Sequence, residues 1–256
     1  MKKLHLLSII AILMIMAFSC KHTPSYGKSV YEASRILNNP NNLDPYLTHL
    51  RLSKDFTALD SNYQVISKGF FLKSLATGRY LPLWLKSDTT HPCYQLIRLK
   101  DSSISLKQLG QMYYKDFSME GKQLPGYNYV DIKGNIYNKE TTKGKTLVIN
   151  CWFVGCTNCM REMPALNALV KQYKNRKEIL FLGLAMDNIS DLNRCLATTK
   201  FDYQIIPLSD NYFMNVLNIQ SFPKNIIVDK NGKIIKMLEG PRELVAALNE
   251  RFGINK

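Results

Sequence analysis

Cys156 and Cys159 are separated by two residues and follow the apolar run Val148-Ile149-Asn150-Cys151-Trp152-Phe153-Val154. The run predicts a strand, Gly155 a turn, and the residues after the pair a helix that opens on it. A cysteine at a helix N-terminus faces unpaired backbone N–H groups and the positive end of the helix dipole, and both stabilise thiolate over thiol. The second cysteine, one turn further in, is placed to close a disulfide with the first. Zinc sites use the same spacing, so the pair alone leaves two chemistries open.

The elements that must position this pair can be read on either side of it. Leu166, Leu169, Val170 and Tyr173 recur at helical spacing and predict a helix over 157–174, which Pro164 should kink just beyond its first turns. Further on, Ser221-Phe222-Pro223-Lys224-Asn225-Ile226-Ile227-Val228-Asp229-Lys230-Asn231-Gly232-Lys233-Ile234 reads as strand, tight turn and strand. With these segments in order, residues 121–256 resemble the thioredoxin superfamily, and within it the membrane-tethered TlpA/ResA branch of thiol-disulfide oxidoreductases. The matching residues are Trp152, Cys156, Cys159, Glu162, Met163 and Pro164, then Pro223, Ile226 to Val228, Asp229 and Gly232. The lead-in Leu124-Pro125-Gly126, Ile132-Lys133-Gly134-Asn135 and Gly144-Lys145-Thr146-Leu147-Val148 fits the same branch.

The resemblance implies an α/β fold, a thioredoxin-like mixed sheet flanked by helices, with an N-terminal α+β extension. It implies Cys156 as the solvent-facing nucleophile, Cys159 as the buried resolving thiol, and a cis peptide before Pro223, with Phe222 and Trp152 shaping the client site. Cis bonds are rare outside X-Pro, so the proline is needed there. Departures from the branch are informative. Gly155 stands where a tryptophan often precedes the first cysteine, which should open the nucleophile to solvent. Thr157-Asn158 replaces the common x-Pro dipeptide and loosens the inter-cysteine loop. Asn150 holds the strand position where thioredoxins keep a buried aspartate for proton transfer. An amide cannot act as a base, so Glu162 becomes the candidate for moving the proton at Cys159. The alternative for Glu162 is a first-turn acid favoured by the helix dipole alone. Cys151 reads as a small apolar residue inside the strand.

The N-terminus predicts where this chemistry happens. Lys2 and Lys3 precede an apolar run from Leu6 to Phe18, followed by Ser19 and Cys20. This is the layout of a secretory signal, and the run is shorter than the roughly 20 residues of a spanning helix. Ending at cysteine, it resembles a bacterial lipoprotein signal over 1–19, with Cys20 as the lipidated residue and 20–28 as a tether. The expected location is the cell envelope, anchored to a membrane and facing the periplasm. Of six cysteines, one is assigned to lipid and two to the redox pair; Cys93, Cys151 and Cys195 remain, with a Cys93–Cys195 bridge as an open alternative.

The formal net charge is +14, of which Lys2 and Lys3 lie in the signal. The rest divides into +5 over residues 21–120 and +7 over 121–256, with no arginine-rich run and no nucleic-acid motif. A basic surface beside an anionic membrane accounts for it. Residues 29–120 form a separate N-terminal domain without a readable role. Helices are expected at 32–37, 46–56 and 106–114, and strands within 63–85 and 94–99. In 121–256 the expected order is a hairpin at 127–138, a strand at 145–152, the kinked helix, a strand at 179–186, a helix at 190–199 and a strand at 203–206. A hairpin of 224–229 with 233–238 and a closing helix from Arg242 to Arg251 complete it.

The function expected from this reading is disulfide exchange with client proteins, as a reductant supplied by a membrane-bound electron donor, without cofactor, metal or nucleic acid. Two rivals come from other classes. A copper or other metal carrier on this fold would pair the cysteines with a distant histidine, but His5, His22, His49 and His91 all precede residue 121. Met160 and Met163 could bind soft Cu(I), yet Met163 is more simply core. A non-catalytic binding lipoprotein would have no need of both cysteines, Glu162 and Pro223. A peroxiredoxin pattern fails because Ile149 and Phe153, or Trp152 and Cys156, stand where its proline and hydroxyl residue belong.

Overall fold

The computed structural model describes residues 26–87, 91–219 and 221–253. The signal-like run and Cys20 lie outside these residues. In the first part of the chain the elements are β1 (Tyr26–Ser29), α1 (Ala33–Leu37), α2 (Pro40–His49), β2 (Thr57–Leu59), β3 (Val65–Ile66), α3 (Lys68–Leu75), β4 (Tyr80–Ser87), β5 (Cys93–Arg98) and α4 (Ile104–Met119). The strands form a five-stranded sheet in the order β1-β4-β5-β2-β3, antiparallel except where β2 runs parallel to β5. Helices α3 and α4 cover it over a core that includes Leu59, Phe71, Leu72, Leu75, Leu81, Tyr94 and Leu106. The two helices approach closely at Gly110, where a Cβ would lie 2.4 Å from the Leu75 and Ala76 backbone.

Several expectations for this part are corrected. Tyr26 to Lys28, read as the end of the tether, belong to strand β1 paired with β4. The helix expected at 46–56 runs from Pro40 to His49 instead. The segment 63–85 holds a helix that its aromatic composition concealed: the Ser67 hydroxyl accepts the Phe70 N–H at 3.2 Å and caps α3. Phe71, Leu72 and Leu75 then face the core at helical spacing. Helix α4 extends the reading of 106–114 at both ends, beginning on the Ser103 cap.

The second part contains β6 (Tyr129–Val130), β7 (Ile136–Tyr137), β8 (Thr146–Trp152), α5 (Thr157–Gln172), β9 (Ile179–Ala185), α6 (Ile189–Leu196), β10 (Gln204–Pro207), a π-helical turn (Tyr212–Val216), β11 (Lys224–Val228), β12 (Ile234–Leu238) and α7 (Pro241–Phe252). The sheet order is β10-β9-β8-β11-β12; β8, β9 and β10 are parallel, and β11 is antiparallel to both its neighbours. Every residue of the central strand β8 is buried, as a near-continuous apolar run in a sheet covered on both faces should be. One face carries Val148, Trp152 and Ile227 under α5, α6 and α7. The other carries Ile149, Cys151, Ile226 and Val228 under Leu124, Tyr129 and Phe213. This is the mixed α/β sheet expected for residues 121–256, with β6 and β7 a much shorter hairpin than 127–138 suggested. The π-helical turn has no clear signal in its sequence.

The two parts meet along α4 and β12. Lys236 on β12 bonds Asp55 and lies 3.5 Å from Glu120, while the Ser53 hydroxyl donates to the buried Glu243 of α7. No helix among the described residues is long and apolar enough to cross a membrane.

Candidate active site

Strand β8 delivers the chain to the top of the sheet, and α5 begins there. Cys156 is the N-cap of α5, and its Sγ accepts the Cys159 N–H at 3.2 Å. The two cysteines form a disulfide with Cα atoms 5.2 Å apart. Cys156 keeps 7% of its surface and Cys159 1%, so Cys156 is the outer sulfur of a mostly buried pair. When the bond is reduced, the same N–H and the helix terminus stabilise a thiolate at Cys156.

The loop before the disulfide is fixed from two sides. Gly155 has φ +86°, the left-handed region where a side chain is strained, so glycine here follows from the backbone rather than from the need for an open nucleophile. The Val154 N–H donates to Asp187 Oδ2 at 2.7 Å, from the turn after β9. Phe153 packs edge-on against Phe222 at 5.5 Å, and Phe222 against Phe213 at 5.6 Å. The Phe222–Pro223 peptide is cis. Phe222 is half-buried beside the core cluster that contains both cysteines.

Glu162 follows Cys159 by one helical turn and is half-buried. Burial pushes its carboxyl up to about 7; the Asn225 amide pulls against this, and Glu239 and Glu243 add to it. Asn225 is fully buried, faces Asn150 across the β8–β11 ladder, and accepts the Asn150 amide N–H at 3.1 Å. The position that carries an aspartate in thioredoxins is thus paired with Asn225. The Asn225 Nδ2 and the Glu162 Oε2 are both buried without a hydrogen-bond partner among the described residues. The Asn150–Asn225 pairing was not visible in the sequence. The β8–β11 register, two asparagines inside apolar runs, is the signal that could have found it.

Trp152 requires a correction. It was expected at the client site, but it is fully buried, edge-on to Phe201 at 5.7 Å within the core. It ends β8, close in sequence to the disulfide, but its side chain is turned into the core and leaves no surface for a client. Cys151 is also fully buried, and burial holds its thiol well above the usual range. Cys93, pushed up to about 11 by burial, and Cys195 are free thiols, so the bridge between them is not formed. No group of three or more His, Cys, Asp or Glu among the described residues is arranged to hold a metal.

A thioredoxin-like family model matches residues 144–234, from the lead-in of β8 to the start of β12. This part of the chain is thioredoxin-like. Curated relatives carry the same chemistry in their names. The thiol-disulfide oxidoreductase ResA of Geobacillus kaustophilus is 26% identical over 144 residues, 54% of this chain and 82% of the relative. The thioredoxin-like protein YneN of Bacillus subtilis is 29% identical over 116 residues, 45% of this chain and 68% of the relative. Among solved structures, the thioredoxin domain of a thiol-disulfide oxidoreductase from Bacteroides vulgatus is 28% identical and covers 52% of this chain and 96% of that chain, with a TM-score of 0.46. With the Cys156–Cys159 disulfide at the head of α5, the chain is a thiol-disulfide oxidoreductase. The thioredoxin-like match stops short of residues 26–119, where the second sheet lies.

Proposed function

We propose that the protein reduces disulfides of client proteins outside the cytoplasm, held at a membrane through lipid on Cys20. The observation that carries the exchange reading is the disulfide that caps α5 with Cys156 outermost, beside the Phe222–Pro223 loop. In the reduced enzyme the Cys156 thiolate attacks one sulfur of the client disulfide. That S–S bond breaks, the other client sulfur leaves as thiolate, and a mixed disulfide joins client and Cys156. Cys159 loses its proton, for which Glu162 is the acceptor, and attacks the Cys156 sulfur. The client leaves with its second thiol, having gained two electrons, and Cys156–Cys159 closes. A membrane-bound donor returns the two electrons.

Phe222 and Pro223 shape the face against which the client backbone lies. The apolar run from Leu6 to Phe18, ending at Cys20, supports the envelope location.

The reduction potential tests the direction. Thioredoxin sits near about −270 mV and the strongly oxidising disulfide donors near about −120 mV, a gap of about 7 kcal/mol for two electrons. No histidine occupies the Thr157-Asn158 dipeptide, so a cation that would favour the thiolate and make the pair oxidising is missing. Equilibration with glutathione should give a value below about −200 mV. A value near −120 mV would make the protein an oxidant.

A further inference from the structure

The loop before β11 is gripped by a helix from the other half of the molecule. Lys224, the residue after cis-Pro223, is fully buried although it heads a strand of apolar residues. Its ammonium donates to Asp116 Oδ2 at 2.6 Å and to Glu239. Asp116 is itself 5% exposed and belongs to α4, more than a hundred residues away in sequence. Burial disfavours the Lys224 ammonium, yet Asp116 and Glu239 together raise its pKa above the ordinary lysine value. On the other side of the proline, the Ser221 hydroxyl lies 3.4 Å from the Met112 sulfur, one turn of α4 before Asp116. Helix α4 therefore touches the residues on both sides of Phe222–Pro223. Its own position is fixed by the close approach at Gly110.

We infer that Asp116 is a positioning residue for client binding: through Lys224 it sets the Phe222–Pro223 loop, so the N-terminal half is part of the client site. The inference rests on the disulfide-exchange reading. A buried ammonium held by two carboxylates has a defined direction, and it transmits the placement of α4 to the strand that carries the loop. A tie whose purpose was docking alone could lie anywhere along the α4–β12 contact. This one lies next to the proline.

The test uses the full chain, with insulin as the protein disulfide and dithiothreitol as the small reductant of Cys156–Cys159. Asp116→Asn should raise KM for insulin about tenfold, with kcat and the rate of reduction by dithiothreitol within about twofold of wild type. Asp116→Glu should restore KM to within about threefold. A purely structural role lowers the unfolding midpoint and leaves KM unchanged; that result overturns the inference. Should Asp116→Asn fail to fold, Met112→Ala keeps the charges and decides the matter: KM raised threefold or more supports the inference, and an unchanged KM overturns it. Wild-type protein that reduces no insulin and does not react with dithiothreitol would overturn both this inference and the exchange reading, whereas an active wild type with unchanged KM in the variants overturns this one alone.

Discussion

Glu162 is the group proposed to take the proton from Cys159. Its carboxyl is raised to about 7 from an ordinary 4.5, burial being the main cause. An acid whose folded pKa lies above its unfolded one binds more protons when folded, so its contribution to stability falls as pH rises from about 4.5 to about 7. Glu162→Gln should therefore stabilise the protein more at pH 8 than at pH 4. The carboxyl is only half-buried, so the difference should be about 1–2 kcal/mol after screening by solvent, readable by urea unfolding at the two pH values. The same residue should set the pH dependence of mixed-disulfide resolution. Wild type should speed up through an apparent pKa near 7, and Glu162→Gln should lose that limb. An unchanged profile would remove Glu162 from the mechanism. Asn225→Leu takes away the amide that favours the ionised carboxylate, and should move the limb above 7 in the same measurement.

Elements differ in how far their sequences announce them. Strand β8 and helix α5 were legible because a long buried run and apolar residues at helical spacing each have one explanation, and the Cys-x-x-Cys pair marks their junction. Helix α3 was not, because Phe70 and Phe71 suit a strand equally well and only the Ser67 cap favours a helix. The candidate site residues divide in the same way. Cys156, Cys159, Glu162 and Pro223 follow one another in motifs that local sequence displays. Lys224–Asp116 and Val154–Asp187 depend on pairings across 108 and 33 residues, which no local pattern encodes. Trp152 was misjudged because adjacency in sequence was read as adjacency at the surface, while the strand pleat turns it into the core. Helix α4 joins the two halves and packs closely on α3 at Gly110. Gly110→Ala would place a methyl 2.4 Å from the α3 backbone. Overpacking of this kind should cost about 1–3 kcal/mol in urea unfolding and weaken α4 contacts with β12. Stability equal to wild type would mean that α3 and α4 can separate freely.

At the scale of the whole molecule, the described residues hold two five-stranded sheets with separate cores, joined by charges and by α4. Their joining was not legible, since it uses single charged residues scattered along the chain. The net charge of +14 is spread over both halves, which suits a basic body beside an anionic surface. Cys20→Ser should give unprocessed precursor or soluble periplasmic protein on fractionation; fully processed chain in the membrane fraction would contradict the lipid anchor. The proposed exchange depends on a division of labour between the two sulfurs, 7% and 1% exposed. Trapping in cells tests it most directly. Full-length Cys159→Ser should accumulate mixed disulfides with client proteins through Cys156, visible as reductant-sensitive bands on a non-reducing gel, and Cys156→Ser should accumulate none. Equal trapping by both variants, or by neither, would contradict it.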